Sequence, residues 1–486
     1  MKTSRLIRKG TSFAAALAIF SLLATCALAQ TSQSSTLADQ KEVAVTVYNS
    51  NVALVRDVRS LRLPTGAVDL RFMDIAAQVN PATVHIVSLT APKELAVLEQ
   101  NYEYDLLSPR KLLDKYVGKG LTLVRLRTEN DSTREEYVKA TLLANNEDGP
   151  VWKVGNDIVT GMGADRYMFP DLPANLYSKP TLVWLLDNRY GGEQTLEASY
   201  LTNQMNWSSD YVLTVETDQK SADLNGWVTI VNSSGTAYRN AQLQLVAGAV
   251  HRVAAPRPVN GGRVMEMAKA VPAPQFEQEA ISEYHLYTLD RRTTLENNET
   301  KQISLLSGTG VHIEKHFEVD GQGYYYQSVS RPGQPIKDPV QVRLKFKNSE
   351  ANSLGVPLPA GTIRVYQSDS KGRVQFIGED HIDHTPKDET LDLHIGDAFD
   401  VVAERKQTDY QQLGSHAVEM AFEIRLRNHK AEPITVEVNE PIGGDWTMEE
   451  SNLKYEKTAA FAARFTVPVD ANGESVLKYR VRVRWQ

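Results

Sequence analysis

Four side chains with metal-binding chemistry crowd into "GEDHIDHTPKDETLDLHIGD", residues 378–397: His381, Asp383, His384 and His394. Imidazole nitrogens and carboxylate oxygens are the donors that zinc-like ions take. Strand alternation would put His381 and Asp383 on one face and His384 on the other. The spacing matches no metal motif, so the stretch reads as a solvated polar hairpin, and no metal or other cofactor is expected.

Nucleophilic chemistry fares no better. "SPRK", "SDSK" and "SNLK" all satisfy Ser-x-x-Lys, without the companion motifs that give that pair a role. "GMGADR" lacks the third glycine of a dinucleotide-binding turn. The one cysteine, Cys26, falls in a leader segment, so the mature chain has no thiol for catalysis, disulfides or metal.

The polar face that stands out is cationic. In the terminal "VLKYRVRVRW", Lys478, Arg480, Arg482 and Arg484 alternate with Leu477, Tyr479, Val481 and Val483. If "FEIRLRN" lies beside it, Arg425 and Arg427 widen the patch. Two expectations follow: docking of an anionic partner, or neutralisation by cross-strand acids such as Glu423 or Glu437. Two aromatic stretches are candidate binding surfaces. Trp207, Tyr211, Leu213 and Val215 share one strand parity and read as core. Tyr324 and Tyr326 are expected on one strand face, with Tyr325 opposite.

The elements that position these residues are strands. "VQVRLKFKN", "FEIRLRN" and the terminal run alternate apolar and polar residues, as a sheet needs when one face meets a core. "GWVTIVNSSGTAYRNAQLQL", "VRLKFKNSEANSLGVPL" and "FEIRLRNHKAEPITVEV" share one pattern. Each has a strand ending in Asn, a polar turn and another apolar segment. Such units indicate immunoglobulin-like sandwiches. "LSPRKLLDKYVGKG" predicts a short helix with Ser108 as N-cap and Pro109 in the first turn. Short strands follow it, giving a small Sm-like barrel.

The expected class is therefore mainly β and multidomain. The divisions are a signal peptide at 1–29, an N-terminal β region at 41–100 and the barrel with its leading helix at 103–172. A β domain at 180–320 with a mobile insertion at 254–282 comes next, then a C-terminal β-sandwich region at 321–486.

Lys2, Arg5, Arg8 and Lys9 precede the apolar "FAAALAIFSLLA", and Ala27 and Ala29 complete an A-x-A site with cleavage before Gln30. The alternative is acylation at Cys26 of "LATC", which would anchor the chain to a membrane. Of 53 basic and 60 acidic residues, the signal removes four basic ones, leaving 49 against 60. That acidic balance lacks the basic footprint of a nucleic-acid binder. Beyond the signal, no apolar run is long enough for a transmembrane helix.

"SYLTNQMNWSSDYVL", "EYHLYTLDRRTTLENNETKQISLL", "LPAGTIRVYQSDSKGRVQFIGEDHIDHTP" and "IGDAFDVVAERK" resemble a bacterial family carrying a domain of unknown function, related to mucoidy-inhibitor-A-like proteins. The resemblance covers about residues 180–486, and more loosely the stretch upstream. It implies an exported or envelope-associated β-rich protein and brings no catalytic residues. The expected function is non-catalytic binding or scaffolding in the cell envelope, periplasmic or secreted, with an envelope protein or anionic polymer as partner. A hydrolase acting on envelope polymers through dispersed acids is the alternative. N-terminal sequencing of the exported protein should read from Gln30; a lipid-modified Cys26 at the start would overturn the cleavage site.

Overall fold

The computed structural model describes residues 31–103, 108–129, 132–171, 173, 179–248, 275–281, 284–329, 333–369 and 371–485. The signal, Cys26, Ala29, Gln30 and most of the 254–282 excursion lie outside the described residues. The tail of that excursion is a strand, Phe276–Ile281, paired with Tyr284–Leu289. The protein is mainly β. Among the described residues no helix is long and apolar enough to cross a membrane. Residues 31–43 and 55–202 form one compact unit, and residues 44–54 with 203–485 form a second.

The first unit holds a four-stranded sheet in the order Thr31–Ser35, Gly66–Met73, Thr181–Asn188, Leu95–Glu103. Thr181–Asn188 pairs with both Gly66–Met73 and Leu95–Glu103, and the unit runs to residue 202. The helix forms as predicted, over Pro109–Lys115, and the Ser108 side chain accepts a hydrogen bond from the Lys111 amide at 3.2 Å. It lays Leu113, with Tyr116 behind it, against Leu123, Leu142 and Trp152. The strands beside it do not close into the expected barrel. They make an open sheet ordered Asp157–Val159, Gly149–Val154, Ser132–Asn146, Gly120–Glu129, Arg166–Met168. Closure would require the two end strands to pair with each other. Each is only three residues long and is paired inward.

In the second unit, Met205–Val215 sits centrally in a five-stranded sheet, and Trp207, Tyr211, Leu213 and Val215 are buried. The Trp207 indole donates to the Val246 carbonyl and the Tyr211 hydroxyl to the Pro359 carbonyl. They are core residues. Farther along, two sheets contribute to one core. One is ordered Thr390–Asp397, Gln341–Lys347, Glu314–Asp320, Ile434–Glu440, Ala462–Val469, Tyr455–Ala459. The other is ordered Ile336–Asp338, Val401–Gly414, Ala417–Asn428, Glu474–Arg484, Asp445–Ser451. Val436, Val438 and Phe465 of the first meet Phe422, Ile424, Leu477 and Val481 of the second. The tyrosine stretch departs from expectation. Gly323–Tyr326 is a 3-10 turn that buries Tyr325 and Tyr326 and exposes Tyr324.

The recurring strand-end asparagine has a definite task. Asn232, Asn348 and Asn428 are buried, each at or just past a strand end. Asn428 Nδ2 donates to the carbonyls of Glu432 and Asp470, and its Oδ1 accepts from the Lys430 amide. Asn348 does the same with Val356, Pro386 and Gly355. Asn232 holds Thr236, Leu295 and Glu296 and accepts from Ser234. A fourth copy, Asn188 in the first unit, holds Leu63, Pro64 and Tyr190.

Buried charge marks the core shared by the last two sheets. Arg405 follows Val401 and Ala403 in the inward phase of its strand, and Glu440 follows Val436 and Val438. Arg405 Nη1 lies 2.7 Å from Glu440 Oε1, and Arg405 Nε lies 2.8 Å from Asp338 Oδ2. Tyr326 donates to Glu440, and the Tyr326 and Tyr479 hydroxyls meet at 2.7 Å. Burial holds both phenols well above their ordinary pKa, so they stay protonated. Gly321 is required beside this group, because a β-carbon there would collide with the Glu440 carboxylate. The first unit has a smaller counterpart: Arg59 Nη2 lies 2.8 Å from Asp57 Oδ2, and the guanidinium lies 3.5 Å from the Phe72 ring centre.

Two measurements test these supports. Asn428→Asp keeps the shape but removes both amide donors, and should lower unfolding free energy by about 2–3 kcal/mol in urea denaturation. A loss below about 0.5 kcal/mol, the scale of an ordinary surface change, would show that the corner is not needed. Arg405→Met strands two buried carboxylates and should lose about 3–5 kcal/mol. Arg427→Gln, at a surface ion pair with Glu404, should lose less than about 1 kcal/mol. Equal losses in the two would refute the distinction.

Candidate functional site

The terminal strand pairs with Ala417–Asn428, which sets acids opposite bases: Glu423 faces Lys478 and Glu419 faces Arg482. Lys478 Nζ lies 3.2 Å from Glu423, and Arg425 reaches both Glu423 and Glu474. Arg480 joins Asp409 at 2.8 Å and Glu419 at 3.2 Å. Arg482 joins Glu419 at 2.9 Å and Glu449 at 3.2 Å. Arg427 pairs with Glu404 at 2.7 Å. Arg484 is exposed at the strand end, in register between Ala417 and Asp445. Hydrogen bonds from Arg425 and Lys478 hold Glu423 below the usual carboxylate range, and Arg427 does the same to Glu404. The cations thus lie together, laced to acids. Glu423 serves as expected, whereas Glu437 lies on another sheet.

The histidine-rich hairpin does not gather its donors into a site. His381 is on Val374–Ile382, in register with Thr362. His394 is on Thr390–Asp397, in register with Arg343. His384 Nδ1 accepts from the Ala360 amide at 3.1 Å, and burial pushes its pKa below the ordinary imidazole value. That ring is neutral and engaged as a turn acceptor. Asp380 is also spent on backbone, accepting from the His394 amide at 2.8 Å.

Convergent donors occur elsewhere. On the outward face of Glu314–Asp320, His316 and Glu318 are two residues apart and so share a side of the strand. Ile434–Glu440 runs parallel to it, and its register sets Glu437 beside Glu318. One ligand atom from each of His316, Glu318 and Glu437 falls within 4.8 Å of the others. His316 Nδ1 is 3.5 Å from Glu437 Oε1, and its Nε2 is 3.4 Å from Glu314 Oε2. Lys345 and Arg343 approach Glu318 at 2.6 and 3.8 Å, and Arg464 approaches Glu437 at 3.6 Å. Sequence reasoning missed this trio because Glu437 is far along the chain. The alternations in "EKHFEVD" and "ITVEVNE" give the faces but not the pairing.

The small sheet of the first unit carries a shallow groove of about 520 Å³, lined by Lys139, Lys153, Met168 and Phe169 among others. It brings no nucleophile, acid–base pair or ligand set together. No match is found among curated proteins. Residues 196–486, more than half of the chain, match the family described as a domain of unknown function, DUF4139, and the chain belongs to that family.

Proposed function

We propose that this is an exported protein of the bacterial cell envelope that binds or scaffolds a partner and does no covalent chemistry. In this reading it is periplasmic or secreted after cleavage at Ala29–Gln30. Its paired sheets are immunoglobulin-like sandwiches, supported by the shared core and the repeated asparagine corners. The relation to mucoidy-inhibitor-A-like proteins belongs to the same proposal and rests on the stretches quoted above.

The observation that carries it is the strand Leu95–Glu103. It ends its sheet, pairing with Thr181–Asn188 on one side. It has neither proline nor lysine, the residues that commonly blunt sheet edges. A β-bulge at Leu98 presents that side chain to solvent at 56% exposure, beside Val97 at 43%. An extended segment of a second envelope protein fits here by strand addition: main-chain bonds supply affinity and the two apolar residues supply contact. Val374–Ile382 also ends a sheet and exposes Phe376, but the Ile395 carbonyl abuts it at Gly378. An anionic polymer would reach the Lys478–Arg484 face only in competition with Asp409, Glu419, Glu423 and Glu449. The open edge therefore carries the reading.

A photo-cross-linking residue at Leu98 should trap one envelope protein through an extended segment of that partner. Val97→Lys with Leu98→Lys should abolish the adduct, while the melting temperature changes little at such exposed sites. Recovery of the same adduct from the double variant would overturn the edge reading. Depolymerisation of envelope polymer by the purified protein would favour the hydrolase.

A further inference from the structure

We propose that His316, Glu318 and Glu437 form a divalent-cation site, with zinc as the fitting ion. The donor set is one imidazole and two carboxylates, a combination that zinc accepts with a remaining position open to solvent. The geometry rests on strand pairing and not on loops. Two ligands come from alternate positions of one strand and the third from the register position beside it on a parallel neighbour. Positions on hydrogen-bonded strands are held more rigidly than positions on turns.

Three further features point to a ligand. The His316 ring offers Nδ1 toward Glu437, while Nε2 is taken by Glu314 at 3.4 Å. A carboxylate on the distal nitrogen is the partner that metal-binding histidines commonly have, since it fixes the tautomer and ring angle. Glu437 Oε2 is buried and accepts no hydrogen bond, with the Arg464 guanidinium 3.6 Å away as its nearest cation. Five carboxylates, Glu314, Glu318, Asp320, Asp392 and Glu437, stand around three cations, Arg343, Lys345 and Arg464. A divalent ion matches the two negative charges left over.

The cations are the competitors, and each has somewhere else to go. Lys345 is 3.6 Å from Asp392 as well as bonded to Glu318, and Arg343 lies 2.8 Å from Asp392. Arg464 Nε already donates to Asn439 Oδ1 at 3.1 Å. Glu318 and Glu437 can therefore turn to an ion without stranding a buried charge. Binding displaces the ammonium contact of Glu318, which Asp392 is placed to receive.

The test is isothermal titration of the tag-free mature protein with zinc chloride after chelator treatment, joined to thermal melting with and without zinc. One zinc per chain and a zinc-dependent rise in melting temperature are expected. His316→Ala and Glu437→Gln should each weaken binding at least about tenfold and remove the thermal shift, and Glu314→Gln should weaken it about tenfold through the ring. His381→Ala should bind as the parent does. If either ligand variant fails to fold, Glu314→Gln, at a side chain 65% exposed, carries the same comparison. No heat of binding by the parent, parent-like affinity in the ligand variants, or loss confined to His381→Ala would each overturn the site.

Discussion

A chain that leaves a sheet at a buried corner has carbonyls pointing where no neighbouring strand can receive them. Four buried asparagines meet that requirement. Each places one carboxamide into the turn, so that its NH₂ satisfies two or three carbonyls and its oxygen takes an amide. A serine or threonine has too few donors for the task, and an aspartate has none. Core packing on either side of these corners depends on the exact path of the chain there. The sheets can share a hydrophobic interior only if their connections are desolvated without loss.

Ionisable groups are paired with opposite charges in two settings. Inside, Arg405 is clamped by Asp338 and Glu440, whose other oxygens accept from the Tyr325 and Tyr326 hydroxyls, while Arg405 Nη2 has no hydrogen-bond partner. Outside, on the terminal strand, arginines and lysines share carboxylates across the ladder, so that one acid often serves two bases. The interior group gives conformational definition, because a one-residue slip of either strand would bury an unpaired charge. The exterior lattice contributes less per pair and is softened by salt.

Much of the architecture was legible in the sequence, because period-two alternation states which side of each strand is wet. The Ser108–Pro109 helix start, the buried phase of Trp207 and Tyr211, and the strand-end asparagines were readable for the same local reason. Pairing was not. The register that sets Glu437 beside Glu318 joins segments more than a hundred residues apart, and nothing local encodes it. Dense histidines at 381–394 drew notice through composition, yet the strands send them to different surroundings. Strand alternation fails at "GYYY" because a 3-10 turn spaces side chains differently. One overlooked signal was available: Arg405, Glu440, Asp57 and Arg59 all occupy the apolar phase of their strands, which marks charges that must find partners indoors.

The strand Gln40–Tyr48 pairs in parallel with Tyr238–Ala247, Ala44 beside Gln242 and Tyr48 beside Val246. Nearly two hundred residues separate the two, and the whole of 55–202 is threaded between them. During synthesis the side of Gln40–Tyr48 that faces away from its other neighbour, Val52–Arg62, therefore waits until Tyr238–Ala247 has emerged. A fragment cut at the family boundary of residue 196 would lack Ala44–Tyr48 altogether. Its Tyr238–Ala247 strand would offer a bare ladder to any neighbouring chain. Self-association of such a fragment would then report a missing strand, and not the habit of the intact protein.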